Sequence, residues 1–246
     1  MRLAFISDIH EDHESLRRIL RKADKRGYDQ LICLGDISGF TRSHYRYGKK
    51  RDAAASLELI RQKCHVIIPG NHDMHAVRRI PLHSDIFSFP ENWYDLDPRR
   101  QSELSADMLW LHEDELENNY GKDDLEFLNT LAEFAILETP EFNIMLSHYA
   151  FPNLSGFKKG FYSWGREFRA HFDFMHAHKC SLSFTGHAHP RGFYVAWPNR
   201  FKQYTHRGKK ISEFPALVGI PPVTRHKHRR GFCIFDTHNK HLRVYR

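Results

Sequence analysis

The chain has 246 residues, of which 41% are hydrophobic and 27% are charged, a composition typical of a globular chain with a substantial core and not of a disordered or fibrous one. Its 37 basic and 30 acidic residues leave a formal net charge of +7, which favours anionic ligands without distinguishing nucleic acid, nucleotide and phospholipid headgroup. No apolar stretch approaches the roughly 18 residues that a membrane span requires, so we expect no membrane partner.

The four cysteines are Cys33, Cys64, Cys180 and Cys233, and none of them forms a C-x-x-C pair. Cys33 and Cys233 lie inside apolar runs and are predicted to be buried thiols. An even number leaves disulfides open, although a domain of this size does not need them. Because no export signal is recognisable, a cytoplasmic location is the expectation.

The N-terminal region predicts a strand followed by a helix. Residues 1–7 are apolar and end at polar residues, which is typical of a short buried strand. From about Glu14 to Lys25 the apolar residues recur at helical spacing, and Gly27 suits the position just past a helix end.

Two further strands are predicted over residues 30–34 and 65–68, with a helix capped by Asp52 between them. The basic, tyrosine-bearing segment 41–51 is predicted to be a loop. This alternation of strands and helices predicts neighbouring parallel strands with right-handed crossovers, and in such sheets ligands gather at the carboxyl ends of the strands.

The second half of the chain is predicted to be richer in strands. Residues 104–112 and 123–131 are predicted helices, and residues 134–137 and 142–146 are predicted adjacent strands. Further elements are a helix over 164–178 and strands over 182–185, 193–197, 200–204, 216–218, 232–235 and 242–245. The sequence therefore predicts one α/β domain over residues 1–246, with two facing sheets and flanking helices.

Five short polar blocks each follow an apolar run at a predicted strand end. They are Asp8-Ile9-His10, Gly35-Asp36, Gly70-Asn71-His72-Asp73, His148 and Gly186-His187-Ala188-His189. The chain holds 19 histidines, and these blocks give several of them a reason.

Side chains of these blocks are suitable ligands for two divalent cations. Asp8 and His10 can reach one metal ion, the two oxygens of Asp36 can bridge two, and Asn71 offers a neutral carbonyl oxygen. The candidate ligands are completed by His148, His187 and His189. Two divalent cations bring four positive charges, and the two aspartates bring two negative charges. Such a centre therefore requires further anions, namely a bridging hydroxide and a phosphate.

His72 is predicted to act as a catalytic residue. Asp73, its neighbour, could accept a hydrogen bond from the ring and favour the imidazolium form. A protonated histidine beside a phosphate can stabilise developing charge and donate a proton to the leaving oxygen.

The five blocks resemble the calcineurin-like metallophosphoesterase family, whose pattern runs D-x-H, G-D, G-N-H-D/E, a single His and G-H-x-H. The resemblance implies a four-layer α/β/β/α sandwich with two mixed sheets, and phosphoester hydrolysis by in-line attack of a metal-bridging hydroxide. It implies one metal ion held by Asp8, His10, Asp36 and His189, and a second held by Asp36, Asn71, His148 and His187. His72 then corresponds to the catalytic histidine and Asp73 to its partner.

The block Gly35-Asp36-Ile37-Ser38-Gly39-Phe40 differs from the G-D-x-x-D-R-G of the family's protein phosphatases. It is more similar to the bacterial and archaeal phosphodiesterase branch, which includes diadenosine-tetraphosphatase-like proteins. The expected substrate is therefore a small, nucleotide-like phosphate ester. The donor set suits Mn, Fe, Zn, Co or Ni, with Mn favoured.

Two alternatives remain open at this stage, a nuclease acting on nucleic acid and a non-catalytic metal-binding scaffold. The basic segments 42–51, 206–210 and 225–230 are either solvated loops, which we favour, or a phosphate-binding surface on which Tyr45 or Tyr47 stacks bases. The aromatic segment 161–164 is either part of the core or a lid near His148.

Overall fold

The computed structural model describes residues 1–205, 208–225 and 230–246. It contains two six-stranded sheets with helices packed on them. The helices are α1 His13–Arg26, α2 Ala53–Lys63, α3 Asn71–Ala76, α4 Pro98–Leu104, α5 Lys122–Thr130 and α6 Arg169–Ala177. The strands are β1 Arg2–Ile6, β2 Gln30–Cys33, β3 Val66–Ile67, β4 Phe134–Glu138, β5 Asn143–Ser147, β6 Cys180–Thr185, β7 Phe193–Trp197, β8 Arg200–Tyr204, β9 Gly208–Lys210, β10 Ala216–Gly219, β11 Phe232–Asp236 and β12 His241–Tyr245.

Both sheets mix parallel and antiparallel strands. The first has the order β3-β2-β1-β11-β12-β9, and its first three strands run parallel. The second has the order β4-β5-β6-β10-β7-β8, and β5, β6 and β10 run parallel. In each sheet the parallel strands lead into polar loops at the same edge, where the motif residues lie.

The two sheets face each other across an apolar core. The rings of Phe5 on β1 and Phe184 on β6 stack with their centroids 4.0 Å apart, and both side chains are fully buried. Helices α1 and α2 cover the other face of the first sheet, while α6 covers that of the second. The expected α/β/β/α layering is therefore confirmed.

Local signals placed the first two helices well. Asp12 caps α1 by accepting a hydrogen bond from the Ser15 amide, and Gly27 follows its last residue. Asp52 caps α2 by accepting from the Ala55 amide. These caps satisfy backbone amides that have no partner within the helix.

The predicted helix over residues 104–112 is wrong. Asp97 caps an earlier helix with Pro98 in its first turn, and this helix ends at Leu104. The chain then turns through Ala106 and Asp107, both with positive φ, and Leu109 forms an isolated β-bridge with Lys158. The helix predicted over 164–178 is two elements, a 3₁₀ turn over Gly165–Phe168 followed by α6.

All four cysteines are free thiols, and three of them are buried. Within the described part of the chain, no helix combines the length and the apolarity needed to cross a membrane.

Candidate metal centre

Six of the candidate ligands lie in loops that leave the carboxyl ends of β1, β2, β5 and β6, and Asn71, the seventh, is the first residue of α3, just after β3. Several of these loops need an unusual backbone, because non-glycine residues there have positive φ. They are Asp8 (55°), His10 (46°), Asp36 (53°), His187 (62°) and His189 (45°). Such conformations cost free energy and concentrate at functional sites, where the surrounding structure enforces them.

The first group of candidate ligands is Asp8, His10 and His189. Nε2 of His189 lies 3.1 Å from an Asp8 carboxylate oxygen and 3.2 Å from Nε2 of His10. Nδ1 of His10 lies 3.0 Å from the carbonyl oxygen of Gly39, so this nitrogen carries the ring proton and Nε2 keeps its lone pair. A backbone carbonyl on the far nitrogen is the usual arrangement of a metal-binding histidine.

The second group is Asp36, His148 and His187. His148 donates from Nδ1 to the Leu34 carbonyl over 2.6 Å, and its Nε2 lies 3.1 Å from Oδ2 of Asp36. Three buried atoms beside this carboxylate make no hydrogen bond: Nε2 of His148, Nε2 of His187 and Oδ1 of Asn71. Buried polar atoms are almost always satisfied, so these three fit a cation that they would coordinate.

Asp36 lies between the two groups. Its Oδ2 is 3.1 Å from Nε2 of His148 and 3.9 Å from Nε2 of His10. The side chain is almost completely buried, and its position allows one carboxylate to serve both groups. The structure thus brings all seven predicted ligands to one place, and their nitrogen and oxygen donors suit borderline divalent cations.

Burial and neighbouring charges lower the pKa of some of the candidate histidines and raise that of another. Burial, aided by the charge of His72, lowers the pKa of His10 to about 3, and burial holds the pKa of His187 well below its usual range. Burial also opposes charge on His148, but the carboxylate of Asp36 outweighs it and raises the pKa of His148 to about 9. The facing histidines in turn hold the pKa of Asp36 well below normal, against the effect of burial.

The predicted contact between Asp73 and the ring of His72 is wrong. Asp73 is fully buried and accepts hydrogen bonds from the backbone amides of Ile37, Ser38 and Gly70 and from the hydroxyl of Ser38, at 2.7–3.0 Å. Its carboxylate points to the loop after β2 because that loop presents a row of unpaired amide donors. Asp73 thus ties the Asp36 loop to α3.

The ring of His72 is held by Glu115, which the sequence-based reasoning missed. Nδ1 of His72 contacts Oε1 of Glu115, and Nε2 lies 3.9 Å from Oδ2 of Asp36. Burial works against a charged ring, but Glu115 and then Asp36 outweigh it and raise the pKa of His72 to about 10. The three-residue spacing of His112 and Glu115 was the available signal, but the helix predicted over 104–112 ended before Glu115, and in the structure both residues lie in an irregular segment.

Gly39 leaves the space that the His72 ring occupies. A Cβ at this position would lie 2.2 Å from Nδ1 of His72, and Gly39 has a φ of 92°. Both features require glycine here.

The basic segment 42–51 is a solvated loop with one short 3₁₀ turn, as favoured from the sequence, but it lacks the alternative stacking surface on its tyrosines. Tyr45 and Tyr47 are 8% and 7% exposed and pack with Phe40, so they offer no open stacking surface, while most of the basic side chains around them are exposed. Parts of the other two basic segments, residues 206–207 and 226–229, lie outside the described residues. Arg225 is engaged by the buried Asp12 through its Nε and Nη2 atoms, both at 3.0 Å.

The aromatic segment 161–164 lies at the edge of the site. Phe161 is 51% exposed, and its ring centroid is 5.2 Å from that of His187. Trp164 is 66% exposed. These two residues are therefore not part of the core.

Comparison with known proteins identifies a family. The protein-family model described as calcineurin-like phosphoesterase matches residues 1–191 of this chain. An uncharacterized protein of Methanocaldococcus jannaschii is 38% identical over 71 residues, which are 29% of this chain and 26% of that protein. The alignment thus spans about a quarter of this relative.

Two solved structures share the fold. A metallophosphoesterase from Sphaerobacter thermophilus superimposes with a TM-score of 0.66 at 18% identity, over 100% of this chain and 87% of the other. A hypothetical protein from Pyrococcus horikoshii gives a TM-score of 0.62 at 11% identity, over 99% and 86% of the two chains. At these identities the likeness concerns the fold.

Proposed function

The chain belongs to the calcineurin-like phosphoesterase family of metal-dependent hydrolases, and on this basis we propose that it hydrolyses phosphodiesters at a centre of two divalent cations. The observation that supports two ions is the position of Asp36 between two groups of histidines, with three buried atoms on one side that lack a hydrogen bond. We also propose that residues 1–246 form one domain, because β11 pairs directly with β1.

The proposed ligands follow the two groups. One cation is assigned to Asp8, His10, Asp36 and His189. The other is assigned to Asp36, Asn71, His148 and His187. Mn²⁺ is the favoured ion for both positions. The mixed oxygen and imidazole donors also suit Fe, Zn, Co and Ni, so the affinity of the ligands alone does not select the ion.

When bound, such a pair of cations lowers the pKa of coordinated water and neutralises charge on the phosphate. The protein's own part is to hold and move protons. His72 presents Nε2 to the site and is proposed to donate its proton to the leaving oxygen. Asp73 acts indirectly, by fixing the loop that carries Asp36 to the helix that carries His72.

The proposed substrate is a small, nucleotide-like phosphodiester. The net charge of +7 favours anions, and the exposed ring of Phe161 beside His187 offers a face for a base. A cytoplasmic location is proposed on the four free thiols.

The test is hydrolysis of bis-4-nitrophenyl phosphate by metal-stripped protein before and after addition of Mn²⁺. We expect Mn-dependent turnover that Asp36→Asn abolishes, because this change removes one of the two negative charges that balance the cations. Glu113→Gln, an exposed residue outside the site, is the control and should retain turnover.

Two results would favour the other functions. Binding of two ions without turnover of any phosphate ester would identify a metal-binding scaffold. Turnover confined to oligonucleotides, with a rate that falls steeply as salt rises, would identify a nuclease.

A further inference from the structure

We propose that Glu115 and His112, two residues outside the five motif blocks, position His72 and Asn71 for the reaction. Glu115 orients the ring that donates the proton, and His112 orients the amide that offers its oxygen to a cation. This inference rests on the proposed phosphodiesterase function and adds the residues that set its geometry. We call the two residues the Glu115–His112 pair.

The pair reaches the site because its segment is fastened to the loop after β2. The amide of Leu116 donates to the carbonyl of Phe40 over 2.9 Å, and Glu115 forms an isolated β-bridge with Thr41. The side chains of Glu115 and His112 are 10% and 5% exposed. Two buried polar side chains are thus inserted next to the proposed catalytic histidine.

The proton positions in the pair follow from its partners. Nδ1 of His112 lies 2.7 Å from Oε1 of Glu115, and a carboxylate only accepts, so the proton of His112 is on Nδ1. Its Nε2 then has a lone pair, and this atom lies 3.3 Å from Nδ2 of Asn71, which only donates.

The orientation of the Asn71 amide is therefore determined by His112. With Nδ2 turned to His112, Oδ1 is turned away from it, and Oδ1 is one of the buried atoms without a hydrogen bond. Reversal of the amide would set two donors against the cation and an acceptor against the lone pair of His112.

The orientation of His72 is determined by Glu115. The same Oε1 that accepts from His112 contacts Nδ1 of His72. The His72 ring therefore cannot turn Nδ1 toward the candidate metal ligands without losing this contact. Nε2 is left on the side of Asp36. The ring also lies directly against Gly39, which prevents it from moving in that direction. Nε2, the proton-donating atom, therefore has one position.

The first experiment measures Mn²⁺ binding by calorimetry, independently of turnover. His112→Phe should lower the affinity for one of the two Mn²⁺ ions by about 10- to 100-fold, the usual effect of removing a residue that orients a metal ligand. Glu115→Gln should still bind two ions, and the exposed neighbour Glu113 provides the control, Glu113→Gln. Unchanged affinity in His112→Phe would overturn the role of His112, and loss of an ion in Glu115→Gln would show that Glu115 is a metal ligand instead.

The second experiment measures kcat on aryl phosphodiesters that differ in the leaving phenol. A well-placed proton donor matters most for a poor leaving group, so Glu115→Gln should lower kcat for the phenyl ester by about 100-fold and for the 4-nitrophenyl ester much less. Glu115→Asp should restore part of the loss. Equal losses on both esters would overturn the role of Glu115.

Failure of the proposed function gives a different result. In that case wild-type protein hydrolyses none of the esters with any divalent cation, while the calorimetric comparison still decides whether His112 orients Asn71.

Discussion

Gly39→Ala should disable the proposed reaction without removing any polar group from the site. The new Cβ would lie 2.2 Å from Nδ1 of His72, and the optimal separation of non-bonded heavy atoms is about 3.5 Å, so the ring must move by roughly 1 Å. A displacement of this size near a reacting group can lower the rate about 100-fold. The positive φ of 92° adds a backbone cost of about 1–3 kcal/mol in the free energy of unfolding.

Two other glycines separate these effects. Gly160 has the same φ of 92°, but a Cβ there would meet no atom within 4 Å, whereas a Cβ on Gly48 would make an ordinary contact of 3.4 Å with Phe40. We expect Gly160→Ala to show the backbone cost in urea unfolding, and Gly48→Ala to show neither effect. The assay is kcat on bis-4-nitrophenyl phosphate with Mn²⁺ saturating. A wild-type kcat in folded, metal-loaded Gly39→Ala would refute the argument that this glycine sets the position of His72.

Three further predictions concern stability. Asp73→Asn should lower the free energy of unfolding by about 2–4 kcal/mol, because hydrogen bonds to a buried carboxylate contribute about 1.5–3 kcal/mol each and the amide keeps only part of them; an unchanged urea midpoint would contradict this. Burial lowers the pKa of His171 to about 3, so the folded state keeps this ring neutral while the unfolded chain binds a proton below about pH 6.5. The contribution of the neutral ring to the free energy of unfolding is complete above that pH and is lost as pH falls, by about 1.4 kcal/mol per pH unit. Between about pH 4 and 6, the free energy of unfolding measured in urea should therefore depend less on pH in His171→Gln than in wild type. Phe184→Ala should cost about 3–5 kcal/mol, and a double-mutant cycle with Phe5→Ala should give a coupling of about 0.5–1.5 kcal/mol for the stacked pair; purely additive losses would show that the stacking itself contributes nothing.

The strand ends, and the polar residues that stand at them, could be predicted from the sequence alone. Strand and helix periodicity predicted β1, β2 and α1 to within one or two residues, and the Asp52 cap predicted the start of α2, because such signals act locally. Parallel strands share one edge for their carboxyl ends, so five separated polar blocks predicted one cluster. The seven candidate ligands followed from this rule without knowledge of any loop conformation.

The pairing of each carboxylate with its partner became visible only in the folded chain. Asp73 is adjacent to His72 in sequence, but helix α3 directs its side chain to the amides after β2. Glu115 is 43 residues away from His72 and reaches it because an irregular segment is fastened across Phe40 and Thr41. Such a segment has no periodicity to reveal its path, and its contacts depend on the turns around it. For the same reason the burial of Tyr45 and Tyr47 could not be predicted from their basic, polar surroundings in the sequence.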